Sequence, residues 1–149
     1  MARPRARVRR RDDLLCGLDA VNNILRHIRR QCIQRESIDE VMSHLAREEA
    51  LLLQGGVAID NAPDLRGNYS VDALQLVLRV YADAEVTRWT RGQPIQESIY
   101  LLGNGYHWTA VVYGPHEMWW HWDGNRSSPV AIHSFLNWTG HVAVLAVKR

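Results

Sequence analysis

The pattern of apolar residues changes character at about residue 84, and that change restricts the chain to few architectures. Before it, apolar residues recur every three or four positions, the spacing that gives a helix one buried face. After it they come in short runs rich in β-branched and aromatic residues, separated by glycine, proline and asparagine, as strands and turns do. Leu18, Val21, Leu25 and Ile28 predict a helix over 14–30, with arginines at its end where cations favour the helix dipole. Ser37 and Glu40 have capping-box spacing and predict a second helix from 37 to 53, ended by Gly55 and Gly56. Ser70 reads as the cap of a third, burying Leu74, Val77, Leu78 and Tyr81.

Strands are expected at 85–89, 98–102, 107–113, 117–123 and 141–147, with a loop over 61–68 and a short helix over 131–138. Helices first and a mostly antiparallel sheet afterwards is an α+β fold, with the helical layer covering one sheet face. At 149 residues and 46% hydrophobic content, one domain over 12–149 is expected. The six arginines Arg3, Arg5, Arg7, Arg9, Arg10 and Arg11 form a basic leader over 1–11 that reads as solvated and disordered. No apolar run reaches the roughly 20 residues of a membrane span, and no apolar segment of a secretory signal follows the arginines. An intracellular, monomeric protein is expected, in the cytoplasm or, through the leader, the nucleus. Its only cysteines, Cys16 and Cys32, are too few for a disulfide framework or a paired-ligand zinc site. Free thiols in a reducing compartment are therefore expected.

Chemistry enters through the hairpin of the third and fourth strands. A Gly114-Pro115-His116 connection would pair Tyr113 with Glu117, hence Val111 with Trp119, Thr109 with His121 and His107 with Asp123. Trp108, Ala110, Val112, Met118, Trp120 and Trp122 then share the opposite, apolar face, because side chains alternate along a strand. A slip of one residue would turn one strand's apolar set outward, so hydrophobicity supports this register. His107 and Asp123 become cross-strand neighbours, with β-carbons roughly 5 Å apart. A carboxylate beside an imidazole fixes its orientation and tautomer, leaving the other nitrogen to take a proton from a nucleophile. Cys16 at a helix start is the candidate, since unpaired N–H groups and the positive dipole end there stabilise a thiolate and an oxyanion. Taken singly, a cysteine is more often a buried small hydrophobe, and a histidine opening a strand is usually structural. Cys32 has no histidine at useful spacing and reads as structural.

The block Leu15-Cys16-Gly17-Leu18-Asp19-Ala20-Val21-Asn22-Asn23-Ile24-Leu25 resembles the nucleophile helix of the Josephin family of deubiquitinases. Gly67-Asn68-Tyr69-Ser70-Val71 resembles that family's middle motif, and His107-Trp108 with its Trp-rich strand resembles the histidine block. The blocks come in the family's order and cover most of the chain from Leu14 on. The resemblance implies a papain-like fold and thiol-dependent hydrolysis after the carboxyl-terminal glycine of ubiquitin, through a thioester acyl-enzyme, with no metal or other cofactor. Cys16 would be the nucleophile, His107 the general base and acid, and Asp123 the orienting residue.

The sequence departs from the family pattern at three places. Arg11 stands where the family's oxyanion glutamine would be, leaving Arg11 and the Cys16 backbone N–H as candidate donors. Asp19 replaces a histidine after the cysteine. The stretch 31–66, a projecting helical arm in the family, is short. Trp119 and His121 lie on the cleft side as candidate substrate contacts, although filling a gap under a loop is an equally good account of Trp119 and a solvated strand position is the plainer account of His121. Gly105, within Gly103-Asn104-Gly105, offers close backbone approach for the Gly-Gly end of ubiquitin. At least one of Asn22 and Asn23, polar on an apolar helix, is expected to hydrogen-bond backbone near the site. The partner implied is ubiquitin, polyubiquitin or a ubiquitin-like modifier. Alternatives are a papain-like peptidase cutting after double glycine and a catalytically weak ubiquitin-binding module. Nothing beyond the leader forms a basic, aromatic groove for nucleic acid.

Overall fold

The computed structural model describes residues 15–53, 69–103, 107–124, 128–132 and 143–149. Among the described residues three helices, α1 (Cys16–His27), α2 (Arg35–Leu53) and α3 (Val71–Tyr81), precede six strands: β1 (Glu85–Arg88), β2 (Ile99–Gly103), β3 (Trp108–Gly114), β4 (Met118–Asp123), β5 (Val130–Ile132) and β6 (Ala143–Lys148). The sheet order is β1-β6-β2-β3-β4-β5, with every neighbouring pair antiparallel. The α+β expectation therefore holds. The last strand of the chain is inserted between the first two rather than added at an edge. None of the described helices is long and apolar enough to cross a membrane.

Local chemistry explains most boundaries. Ser70 caps α3 from an extended conformation, its side chain accepting from the Ala73 N–H at 3.1 Å, and Ala73, Leu74, Val77 and Leu78 are buried on one face. α1 stops at His27, earlier than its periodicity predicts. Arg29 takes a left-handed conformation there (φ 62), and the N–H groups of Arg29 and Arg30 turn back to the carbonyls of Arg26 and Leu25, the arrangement that closes off a helix end. α2 starts at Arg35, so Ser37 lies inside its first turn, with its N–H on the Gln34 carbonyl, and is not the cap that Ser37–Glu40 spacing suggests. The expected stops at Gly55 and Gly56 and the loop at 61–68 lie outside the described residues.

The helices cover one face of the sheet. Val21, Ile24 and Leu25 of α1 and Leu74, Val77 and Leu78 of α3 meet Val86, Ile99, Leu101, Ala110, Val112, Leu145 and Val147, all buried, with Trp108, Trp120 and Trp122 packed against them. Ile38 and Met42 of α2 complete this core. The other face is apolar as well. Tyr100, Leu102, Val111, Val144 and Ala146 are buried there, with Trp89, Trp119 and Ile132 against them. A strand covered on both faces has no polar side to show, which accounts for the unbroken apolar runs of β2 and β6.

Two expectations fail in the carboxy-terminal half. Residues 131 and 132, assigned to a helix over 131–138, are in strand β5, and the rest of that segment lies outside the described residues. The β3–β4 register also differs. Tyr113 pairs with Trp119 instead of Glu117, Val111 with His121 and Thr109 with Asp123, a slip of two residues. The turn is Pro115-His116-Glu117, with His116 and Glu117 both at positive φ (64 and 56). Trp120 pins it, its indole N–H donating to the carbonyls of Gly114 and Pro115 at 2.9 and 3.0 Å. A slip of two leaves every side chain on its original face, so the predicted faces are right although the predicted partners are not.

Candidate active site

Cys16 is the first residue of α1, and helix geometry leaves the N–H groups of a first turn without intrahelical acceptors. Leu15 precedes it without a side-chain capping bond. The thiol therefore sits among backbone donors at the positive end of the dipole. α1 packs on β3 and β4, which brings Cys16 to the start of β3, where the Trp108 N–H donates to its Sγ at 3.4 Å. Cys16 is 5% exposed.

Two glycines permit this approach. A Cβ on Gly17 would lie 2.9 Å from the Tyr69 ring, and one on Gly103 would lie 2.7 Å from the Trp108 ring. Tyr69 thus packs on the nucleophile helix, and Trp108 lies across its β2 partner Gly103. The three sequence blocks around Cys16, Tyr69 and His107 converge on one corner of the fold.

His107 immediately precedes β3 and is hydrogen-bonded on two sides. Its Nε2 meets Asp123 Oδ1 at 2.5 Å, and its ring also bonds the Cys16 thiol. With Nε2 committed to the carboxylate, Nδ1 is the nitrogen available to Cys16. Because of the two-residue slip, Asp123 lies opposite Thr109 and reaches His107 diagonally, a separation long side chains bridge. The His107 and Asp123 side chains are each 37% exposed.

The surroundings hold His107 protonated. Its pKa is raised to about 9, chiefly by the hydrogen bond with Cys16, against the opposing effect of burial and with further help from the hydrogen bond and charge of Asp123. A raised folded-state pKa favours the protonated form in the folded protein, so this stabilisation is fully present below the ordinary histidine pKa of about 6.5 and is lost as pH rises through about 9. The urea midpoint is expected to fall between pH 6.5 and 9.5, and that fall should shrink in His107→Ala. An equal fall in both proteins would show that another group carries it.

The remaining candidates lie elsewhere. Trp119 packs edge-on against Tyr113 at 5.2 Å and tilted against Tyr100 at 5.9 Å, half-buried in the second apolar cluster and four residues along β4 from Asp123. His121, expected to be solvated, is 5% exposed, because β5 extends the sheet beyond β4 and pairs Val130 with His121. Arg11 and Gly105 lie outside the described residues. Cys32 accepts from Arg26 Nη1 at 3.4 Å and donates to the Asn22 carbonyl at 3.9 Å.

Both asparagines bond backbone, and Asn23 does so next to the site, which meets the expectation for at least one of them. Asn22 exchanges hydrogen bonds with the peptide of Ile33 at 2.9 and 3.0 Å, fastening the connection into α2. Asn23 donates to the Gly124 carbonyl at 2.9 Å.

Chemically, the site offers a thiol within a hydrogen bond of a carboxylate-held imidazole, beside the donors of a helix start. That set can form and break an acyl–sulfur bond. Among the described residues no group of histidine, cysteine and carboxylate side chains could hold a metal ion. No family model and no curated protein matches the chain.

Proposed function

We propose that this chain is a thiol-dependent deubiquitinase of the Josephin type with a papain-like fold, acting on the bond that follows the carboxyl-terminal glycine of ubiquitin. The observation carrying this reading is the chain of contacts from Cys16 through His107 to Asp123 at the start of α1. Cys16 Sγ attacks the glycine carbonyl, forming the S–C bond, while the oxyanion meets the Cys16 backbone N–H. His107 delivers its proton to the departing amine as the C–N bond breaks, leaving a thioester. Water then attacks the thioester, His107 takes its proton, and the thiolate leaves. Asp123 keeps the ring oriented through both steps and stabilises its charged form. The order and residues of the three Josephin-like blocks support ubiquitin as the acyl donor.

The test is covalent labelling by ubiquitin carrying a carboxyl-terminal electrophile, comparing the wild type with Cys16→Ala, Cys32→Ala and His107→Ala. Labelling of the wild type and Cys32→Ala but not of Cys16→Ala is expected. Binding of ubiquitin without labelling would replace this reading with that of a non-catalytic ubiquitin-binding module. Absence of both would point to other double-glycine substrates.

A further inference from the structure

Asn23 is 1% exposed on a helix face otherwise occupied by Ala20, Val21, Ile24 and Leu25. A polar side chain in such a place costs free energy unless it is hydrogen-bonded, and its partners have a direction. Its Nδ2 donates to the carbonyl of Gly124, which lies 101 residues away and directly follows Asp123. Its Oδ1 accepts from Arg26 Nη2 at 2.5 Å, which fixes the flip of the amide so that the NH₂ group faces Gly124. The β3–β4 ladder ends at the Thr109–Asp123 pair, and Gly124 turns away at φ +66. Beyond that pair the strand end takes its position from what Gly124 meets. The group it meets is on α1, the helix that begins with Cys16, two turns and about 10 Å along the axis.

We propose that Asn23, locked by Arg26, is a positioning residue that fixes the end of β4 to α1 and so holds Asp123 in register with His107 and Cys16. One rigid helix then sets both ends of the catalytic row, the nucleophile directly and the carboxylate through a single side-chain-to-backbone bond. Simple satisfaction of a buried amide would be served by any nearby acceptor. The partner here is the peptide carbonyl adjoining the carboxylate. The inference rests on the thiol-hydrolase reading for its catalytic meaning, but its geometry can be tested without a substrate.

The measurement is the titration midpoint of His107, followed by NMR in the wild type, Asn23→Leu, Arg26→Met and Arg26→Lys. Arg26 is exposed, so its replacement keeps a folded protein available if Asn23→Leu fails to fold. Loosening Asp123 removes a carboxylate from the imidazole, and the midpoint is expected to fall by about one unit or more in Asn23→Leu and Arg26→Met. Loss of the Arg26 cation would by itself raise a nearby histidine's pKa, so a fall in Arg26→Met comes through Asp123. Arg26→Lys, which keeps a cationic donor, should restore most of the wild-type value. In turnover assays kcat should drop by about tenfold or more, with KM little changed.

A wild-type midpoint near about 9 that is unmoved in Asn23→Leu and Arg26→Met, whatever their melting temperatures, would overturn the inference alone. An ordinary wild-type midpoint near about 6.5 would overturn the Cys16–His107–Asp123 pairing, and this inference with it. The expected shifts in a protein that hydrolyses no ubiquitin amide would uphold the positioning role and remove the proposed substrate.

Discussion

His107→Ala is expected to lower hydrolysis of a ubiquitin carboxyl-terminal amide by about a thousandfold or more, the loss seen when one member of a unit of nucleophile and base is removed. Asp123→Ala should cost less, about a hundredfold, because the imidazole would remain beside Cys16 with its orientation no longer fixed. Asp123→Asn should fall between the wild type and Asp123→Ala, since an amide oxygen can still accept from Nε2 while the negative charge is gone. The order follows from the geometry, in which His107 bonds Cys16 directly and Asp123 bonds the far side of the His107 ring. Single-turnover rates measured across pH would check it. Asp123→Ala as damaging as His107→Ala would mean that the carboxylate takes part in proton transfer itself. No loss in either variant would remove the site from the chemistry.

The placement of His107 and Asp123 together was legible in the sequence for a reason that survives the wrong register. Alternation fixes which face a strand residue occupies, and the Trp-rich positions 108, 120 and 122 left little choice about the core face. Alternation is blind to a slip of two residues, which moves every partner and changes no face. The register was decided instead by consecutive positive φ values at His116 and Glu117 and by the Trp120 indole across the turn, features of residue types that do not ordinarily announce them. Diagonal reach then restored the contact.

Strand β5 was illegible because three residues after a proline carry no period to read, and the misjudgement spread. With β5 absent, β4 would be an edge strand and His121 solvated; with it present, His121 is covered. The meeting of Cys16 with His107, 91 residues later, had no local signal at all. It was suggested by residue type and by resemblance, whereas Ser70 announced its helix through a bond made within four residues. The role of Asn23 was half legible. A buried amide on an apolar helix face predicts a backbone partner, but which backbone depends on how α1 lies across β4.

The largest effect on stability is expected at Leu101. It is fully buried in the central strand β2, paired with Ala110 on one side and Leu145 on the other, and faces the helical layer. Truncation leaves a cavity whose cost depends on how far the surroundings can collapse. Here they can collapse little, because β2 is held by ladder hydrogen bonds to β3 and β6 on both edges and cannot move toward α1 without breaking them. Leu101→Ala should therefore cost about 2–5 kcal/mol, read as a lower urea midpoint with an unchanged slope. Val130→Ala on the edge strand β5, where the side chain is 47% exposed, should cost less than about 0.5 kcal/mol. Comparable losses at the two positions would contradict a core centred between β2 and the helices. Leu101 lies two residues from Gly103, on which the Trp108 ring rests, so the same variant reports on the site. If the loss is confined to the cavity, the folded fraction of Leu101→Ala should keep the wild-type His107 midpoint. A shifted midpoint would mean that the packing beneath Trp108 helps to hold His107 against Cys16.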